Sequence, residues 1–202
     1  MKLSIRKQNS TAGFSLVELL IVIMIFVTLS TMLMADHNKM QSRIAVDSKA
    51  YEIGQWVREA QVYAMGVKSA ASVASTAFVT GYGVHFATSD TGGFILFADR
   101  GATPDHVYDA TGTCGSDTAE CSKQIILPQG LKIESISAID ASNNLVLLSS
   151  LDITFLRPNP DAFIRGNGST VTQYSKAEIA IISPKGYRKT VDVWSTGQIS
   201  VR

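Results

Sequence analysis

Residues 13–35 read GFSLVELLIVIMIFVTLSTMLMA. From Phe14 to Ala35 there are 22 residues with no Lys, Arg, Asp, Gly or Pro, and one charge, Glu18, near the start. A helix needs about 20 apolar residues to cross the hydrocarbon core of a bilayer, so this stretch is long enough to span. A secretory signal peptide has a shorter apolar core, about 7–15 residues, and a small-x-small exit. The only candidate exit, Leu33-Met34-Ala35, has Leu where a small residue is needed. The residues before Phe14 carry Lys2, Arg6 and Lys7 and no acid. Positive charge stays on the cytoplasmic side of a membrane, so the N-terminus is expected inside and the bulk of the chain outside.

Glu18 is the odd feature of the run. An ionisable side chain at membrane depth costs about 2.5 kcal/mol or more and usually has a partner. Four residues into the span it could snorkel to the interface, and none of the three cations before the span offers it a fixed partner inside. At this point the sequence resembles the type IV pilin and pseudopilin family. The resemblance rests on Gly13, Phe14, Ser15, Leu16, Val17, Glu18 and Leu19, followed by the apolar run. It implies that a prepilin peptidase cuts between Gly13 and Phe14, that Phe14 becomes the N-methylated first residue, and that Glu18 becomes the fifth. It also implies an assembly salt bridge between Glu18 and the Phe14 amine of a neighbouring subunit in a helical filament. Each group is costly in lipid alone, and docking neutralises both. The implied partners are the prepilin peptidase, other pilin or pseudopilin subunits, an inner-membrane assembly platform, and membrane lipid before assembly. The implied location is the bacterial inner (cytoplasmic) membrane, crossed once, with the head outside the cytoplasm. No cofactor is implied.

The 202 residues suit one domain with an appendage. The chain has 18 basic and 17 acidic side chains. Removing residues 1–13 leaves 15 basic against 17 acidic, a formal −2, which gives no strongly basic body to hold nucleic acid by charge alone. No proline precedes Pro104, so residues from Phe14 to about Val67 can form one helix. From Asp36 it turns polar. Ile53, Trp56, Val57, Ala60, Ala64 and Val67 then recur at i, i+3, i+4, i+7, i+11 and i+14, one apolar stripe facing a core. The expected organisation is a cleaved cytoplasmic leader over 1–13, a transmembrane and filament-core helix over 14–35, an amphipathic continuation over 36–68, and a β-rich head over 69–202.

From Ser72 the pattern is β. Candidate strands are Ser72–Val79, Tyr82–Phe86, Gly93–Asp99, Gln124–Leu127, Lys132–Ile136, Leu145–Leu148, Asp152–Leu156, Lys176–Ser183, Arg188–Trp194 and Gln198–Val201. Ser183-Pro184-Lys185-Gly186 and Ser195-Thr196-Gly197 read as hairpin turns, and Asn143-Asn144 as a turn. Arg100–Ser122 and Pro158–Tyr174 read as long loops, the kind that tends to be functional or mobile. The fold class is therefore α+β, a long helix on an antiparallel β-rich head, with two sheets because so many short strands hardly fit in one. The segments Tyr82–Phe86, Gly93–Asp99, Ile125–Gly130, Asp152–Phe155 and Thr196–Val201 also resemble GspH/FimT-like minor pilins and pseudopilins. Many major pilins carry a proline late in the span and this span has none, which leans towards a minor or secretion-type subunit.

Three candidate sites follow. Cys114 and Cys121 enclose six residues, and outside the cytoplasm a disulfide pinning this loop is the favoured reading. The alternative, a metal held by both thiolates and His106, fits no zinc spacing. Asp90, Asp99, Asp105, Asp109 and Asp117 cluster in nearby loops, where an oxygen-ligand cation site is conceivable; no EF-hand spacing is present, and solvated loop aspartates are commoner. Arg188 and Lys189, with Lys185 and Arg202, make the C-terminal hairpin locally basic. The resemblance to DNA-uptake pilins makes DNA an alternative partner there, against a solvated charged face as the plain reading. No P-loop, G-x-S-x-G, H-E-x-x-H or G-x-G-x-x-G pattern occurs, so a membrane-anchored enzyme is the least favoured class and no catalytic residue or metal is assigned.

Overall fold

The structure, a computed structural model, describes residues 13–66, 81–100, 105–110, 112–116, 119–128 and 130–202, with side chains throughout except at 35–38. The expected strand Ser72–Val79 and the stripe residue Val67 lie outside the described residues, as do leader residues 1–12. The chain forms two compact units, Met1–Gln41 and Ser42–Arg202.

One helix, α1, runs from Leu16 to Met65. Its end is a turn in which the Gly66 N–H donates to the Val62 carbonyl at 2.8 Å. Within the larger unit its buried face is Val46, Ala50, Ile53, Val57, Ala60 and Ala64, with Trp56 and Tyr63 partly buried beside it. The stripe thus begins two turns before the first residue that the sequence pattern suggested. Asp47 and Lys49 hide that start: they sit one and three positions past Val46, flanking the buried face and only half-buried themselves, so charges interrupt the apolar pattern there.

The head is two five-stranded antiparallel sheets. The first has the order β3-β2-β1-β6-β7, with β1 at Gly81–Ala87, β2 at Gly93–Asp99, β3 at Cys121–Ile126, β6 at Ser150–Leu156 and β7 at Asn159–Gly166. The second has the order β10-β9-β8-β4-β5, with β4 at Lys132–Ile139, β5 at Leu145–Leu148, β8 at Lys176–Ile182, β9 at Arg188–Trp194 and β10 at Ile199–Val201. Alternate residues face inward, such as Tyr82, Val84 and Phe86 in β1, Leu151, Ile153 and Phe155 in β6, and Ile179 and Ile181 in β8. They join the helix stripe in one core. Helix residues touch both sheets: the Tyr63 ring meets Tyr82 edge-on, and Asp47 pairs with Lys189 of β9 at 3.3 Å.

The three turns form as their residue types dictate. The Ser183 N–H donates to the Tyr187 carbonyl across the first, and the Trp194 N–H to the Gln198 carbonyl across the second, each at 2.9 Å. Asn143 takes φ +63° in the third, a conformation asparagine tolerates.

Two expectations need correction. Pro158–Tyr174 is not all loop, because Asn159–Gly166 is strand β7. Its prolines sit at one end of an edge strand, where a missing N–H is tolerated, and only Ala162, Ile164 and Gly166 are buried, too few to mark a strand by pattern. The long loop after β2 ends at Glu120, not Ser122, since Cys121 and Ser122 begin β3. The other strands match within a few residues, the largest differences being β3, which begins at Cys121 where Gln124 was expected, and β4, which continues from Ile136 to Ile139.

Candidate functional site

The first site is the start of α1. Among the described residues this is the one helix long and apolar enough to cross a membrane, and none of that stretch is buried. Every large apolar side chain from Phe14 to Met34 is more than half exposed. At roughly 25 cal/mol per Å² of apolar surface, water is a poor medium for such a helix; lipid or neighbouring helices suit it. Its hydroxyls do not oppose this. Thr28 donates to the Ile25 carbonyl at 2.8 Å, Ser30 to Phe26 at 2.8 Å, and Thr31 to Thr28 at 2.9 Å, so each of these hydroxyls is satisfied within the helix. Gly13 and Phe14 precede the helix, and Glu18 stands in its first turn, the end where the helix dipole favours a negative charge.

The second site is the outer face of the first sheet, under the segment that follows β2. Strand register sets its rows. Phe97, Gly83, Thr154 and Phe163 form one row, and Ile95, His85, Asp152 and Arg165 the next. Gly83 lets the Phe97 ring lie flat across β1, since a Cβ there would sit 2.8 Å from the ring. Tyr108 packs on Phe97 and His85, with ring centroids 5.4 and 4.8 Å away. His106, at φ +66°, stacks on Phe163 at 3.9 Å, and its carbonyl accepts from the Thr154 hydroxyl at 3.3 Å.

Three buried carboxylates hold this segment by its backbone. Asp99 accepts the His106 N–H at 2.9 Å. Asp152 accepts the Tyr108 N–H at 3.3 Å and lies 2.6 Å from His85 Nδ1. Glu120 accepts the Arg100 N–H at 3.0 Å on one oxygen and the Asp109 N–H at 2.7 Å on the other. Burial disfavours their charged forms. It pushes Glu120 up to about 7 and Asp99 up to about 6, against the lowering effect of the backbone donors. Burial also raises Asp152, with the His85 hydrogen bond opposing it. His106 is lowered by burial and by nearby Arg165. Because each of the three carboxylates accepts at least one loop N–H, the arrangement fastens a loop.

Cys114 and Cys121 are joined by a disulfide with Cα atoms 4.6 Å apart, which ties the same loop to the first residue of β3. Of the aspartates singled out by sequence, Asp99 is buried while Asp90, Asp105 and Asp109 are exposed, and Asp117 lies outside the described residues. No three His, Cys, Asp or Glu among the described residues are placed to share a metal. The structure joins Asp99 instead with Glu120, Asp152 and His85, none of which sequence reasoning selected. The available signal was a carboxylate inside or beside an otherwise apolar strand, as in GFILFAD and LDITFL.

The basic hairpin is paired. Arg188 Nε lies 2.9 Å from Glu134, Lys189 lies 3.3 Å from Asp47, and Arg202 reaches Glu178 at 2.9 Å and the buried Asp192 at 3.0 Å. No structural observation favours a phosphate-binding edge there.

A family model described as the prokaryotic N-terminal methylation motif matches residues 8–34. That is the prepilin-type signal of type IV pilin-like subunits. It implies processing by a prepilin peptidase and assembly with other pilins, and it points to a structural subunit rather than an enzyme. No curated protein and no solved structure gives a significant match to the chain.

Proposed function

We propose that the chain is a minor pseudopilin or minor pilin of the GspH/FimT-like kind, cut between Gly13 and Phe14, methylated at Phe14, and built into a type II secretion pseudopilus or a type IV pilus. The observation that carries this reading is the apolar first half of α1, exposed on every side and headed by Glu18 within the methylation motif. Before assembly this segment sits in the inner membrane with the head outside. On assembly the Glu18 carboxylate meets the Phe14 amine of the next subunit, which fixes the register.

The test is intact mass and N-terminal sequencing of the membrane-extracted protein, expressed alone and with a prepilin peptidase. A chain that begins at methylated Phe14 only when the peptidase is present is the expected result. A chain that still begins at Met1, or is cut beyond Ala35, ends the proposal. A Glu18→Ala variant is expected to be processed normally yet fail to co-purify with partner subunits.

A further inference from the structure

Residues 105–110 cross the outer face of the first sheet as a strap that belongs to no strand. Among the described residues, no backbone–backbone hydrogen bond ties this strap to the sheet. Its bonds to the rest of the head run through side chains. The His106 N–H donates to Asp99 of β2, the Tyr108 N–H to Asp152 of β6, and the Asp109 N–H to Glu120, which directly precedes β3. The His106 carbonyl accepts from the Thr154 hydroxyl. The rings of Tyr108 and His106 rest on Phe97, His85 and Phe163. Lifting the strap therefore breaks no strand pairing, which is the condition for a segment to open apart from the whole fold. The chain behind it is anchored, because Cys114 is bonded to Cys121 and the Gly115 N–H donates to the Cys121 carbonyl.

The groups that hold the strap are titratable. Asp99, Glu120 and Asp152 are all buried. Asp152 Oδ2 is buried with no hydrogen-bond partner, so an ionised Asp152 has an oxygen that no donor supports. The strap itself brings two more acids. The charge of Asp105 opposes ionisation of Asp99 and Asp152, and that of Asp109 opposes ionisation of Asp99 and Glu120. The basic groups around the strap are His85 of β1, 2.6 Å from Asp152, Arg100, whose backbone N–H also donates to Glu120, and Arg165 of β7, near His106. His106 Nδ1 lies 4.0 Å from Asp99, too far for a hydrogen bond. Like charges closed into one buried site repel, and burial removes the water that would screen them.

We propose that residues 105–110 form a pH-released strap, closed over the first sheet in mildly acidic solution and opening more often as Glu120, Asp99 and Asp152 lose their protons. Opening uncovers Phe97, His85, Thr154 and Phe163. The device belongs wholly to the head and does not depend on the filament reading. In the closed form burial holds the Glu120 proton up to about 7 and the Asp99 proton up to about 6; in the open form each group returns towards its ordinary 4.5 or 3.8. Proton loss thus favours the open strap, and closure weakens as pH rises. Glu120 alone multiplies the opening constant by about ten between pH 6 and 8. His106 acts the other way below 6.5, because burial lowers it and the open strap takes its proton more readily.

The test is hydrogen exchange of the full chain in non-ionic detergent at pH 6, 7 and 8. It is read by mass spectrometry on the peptide holding His106 to Asp109, relative to the unfolded chain at the same pH. The expected result is protection that falls about tenfold or more from pH 6 to 8, with the amides of β1 and β8 better protected than the strap throughout. E120Q removes the Glu120 contribution and leaves those of Asp99 and Asp152, so its fall should be about tenfold smaller. If E120Q leaves the strap unprotected already at pH 6, the wild-type profile decides. Wild-type protection that does not change with pH, or a fall of the same size in E120Q, would overturn the proposal. So would strap amides as well protected as those of β1 and β8, since the strap would then open only when the whole head unfolds.

Discussion

Replacing Glu120 by Gln should change how the stability of the head depends on pH. The Glu120 carboxyl is buried and moves from its ordinary 4.5 to about 7 on folding. Below pH 4.5 it is protonated in both states. Between 4.5 and about 7 the folded chain holds a proton that the unfolded chain has lost, so stability falls as pH rises; above about 7 the loss is complete. At about 1.4 kcal/mol for each factor of ten in acidity, the wild type should lose about 3 kcal/mol from this group between pH 4.5 and 8. The E120Q side chain cannot ionise. It retains one oxygen acceptor for two loop N–H groups, the Arg100 donor at 3.0 Å and the Asp109 donor at 2.7 Å. The variant should therefore be less stable than wild type near pH 5, by about 1 kcal/mol for the bond it cannot make. It should overtake the wild type near pH 8. Asp99 and Asp152, also raised by burial, add slopes of the same sign, and His106, lowered by burial, adds one of opposite sign below 6.5. The difference between wild type and variant is thus the quantity to measure. Urea unfolding of the detergent-solubilised chain, followed by Trp56 and Trp194 fluorescence at pH 5, 6, 7 and 8, gives it directly. A difference that stays constant over that range would refute the buried, proton-holding Glu120.

Three further outcomes are expected from the same unfolding assay. Removing the disulfide with a C114A/C121A double substitution opens a ring whose cysteines are seven positions apart; the chain-entropy model gives a loss of about 2.5 kcal/mol, and an unchanged midpoint would mean that the loop is held by its carboxylates alone. Gly83→Ala puts a Cβ 2.7 Å from the Ile153 carbonyl oxygen and 2.8 Å from the Phe97 ring, so about 1–3 kcal/mol should be lost to overpacking, with Tyr108 displaced and its near-ultraviolet circular dichroism reduced. Asn167, at φ +55°, accepts the Ser149 N–H and hydroxyl at 2.8 Å each where the chain passes from β5 to β6. Asn167→Ala should cost about 1–3 kcal/mol, and Asn167→Gly should recover only the backbone part, about 1 kcal/mol; equal losses in the two would put the whole effect in the hydrogen bonds.

Local chemistry was legible in advance wherever it acts over a few residues. The apolar run after Phe14, the 3.6-residue recurrence from Ile53 to Ala64, and the Pro-Lys-Gly and Thr-Gly turns each carry their own signal. Strand β7 was not legible, because Pro160 is excused only by its place at a sheet edge and its burial depends on the neighbours β6 and Tyr174. The start of the buried helix face at Val46 was obscured for a similar reason, as the charges at Asp47 and Lys49 flank that face and find their partners, Lys189 and Glu52, only in the folded chain.

The sequence by itself determined a long helix with an exposed apolar first half, Glu18 at its head, a β-rich remainder, and a methylation motif at the N-terminus. Those are properties of hydrophobic period, length and charge along one segment. Only the tertiary structure decided that Asp99, Glu120 and Asp152 meet one loop and that Arg188 and Lys189 have carboxylate partners. These partners lie far apart in the chain, and strand pairing at a specific register, with the helix packed on the sheets, brings them together. The burial that raises the acids exists only once two sheets and a loop have closed around them.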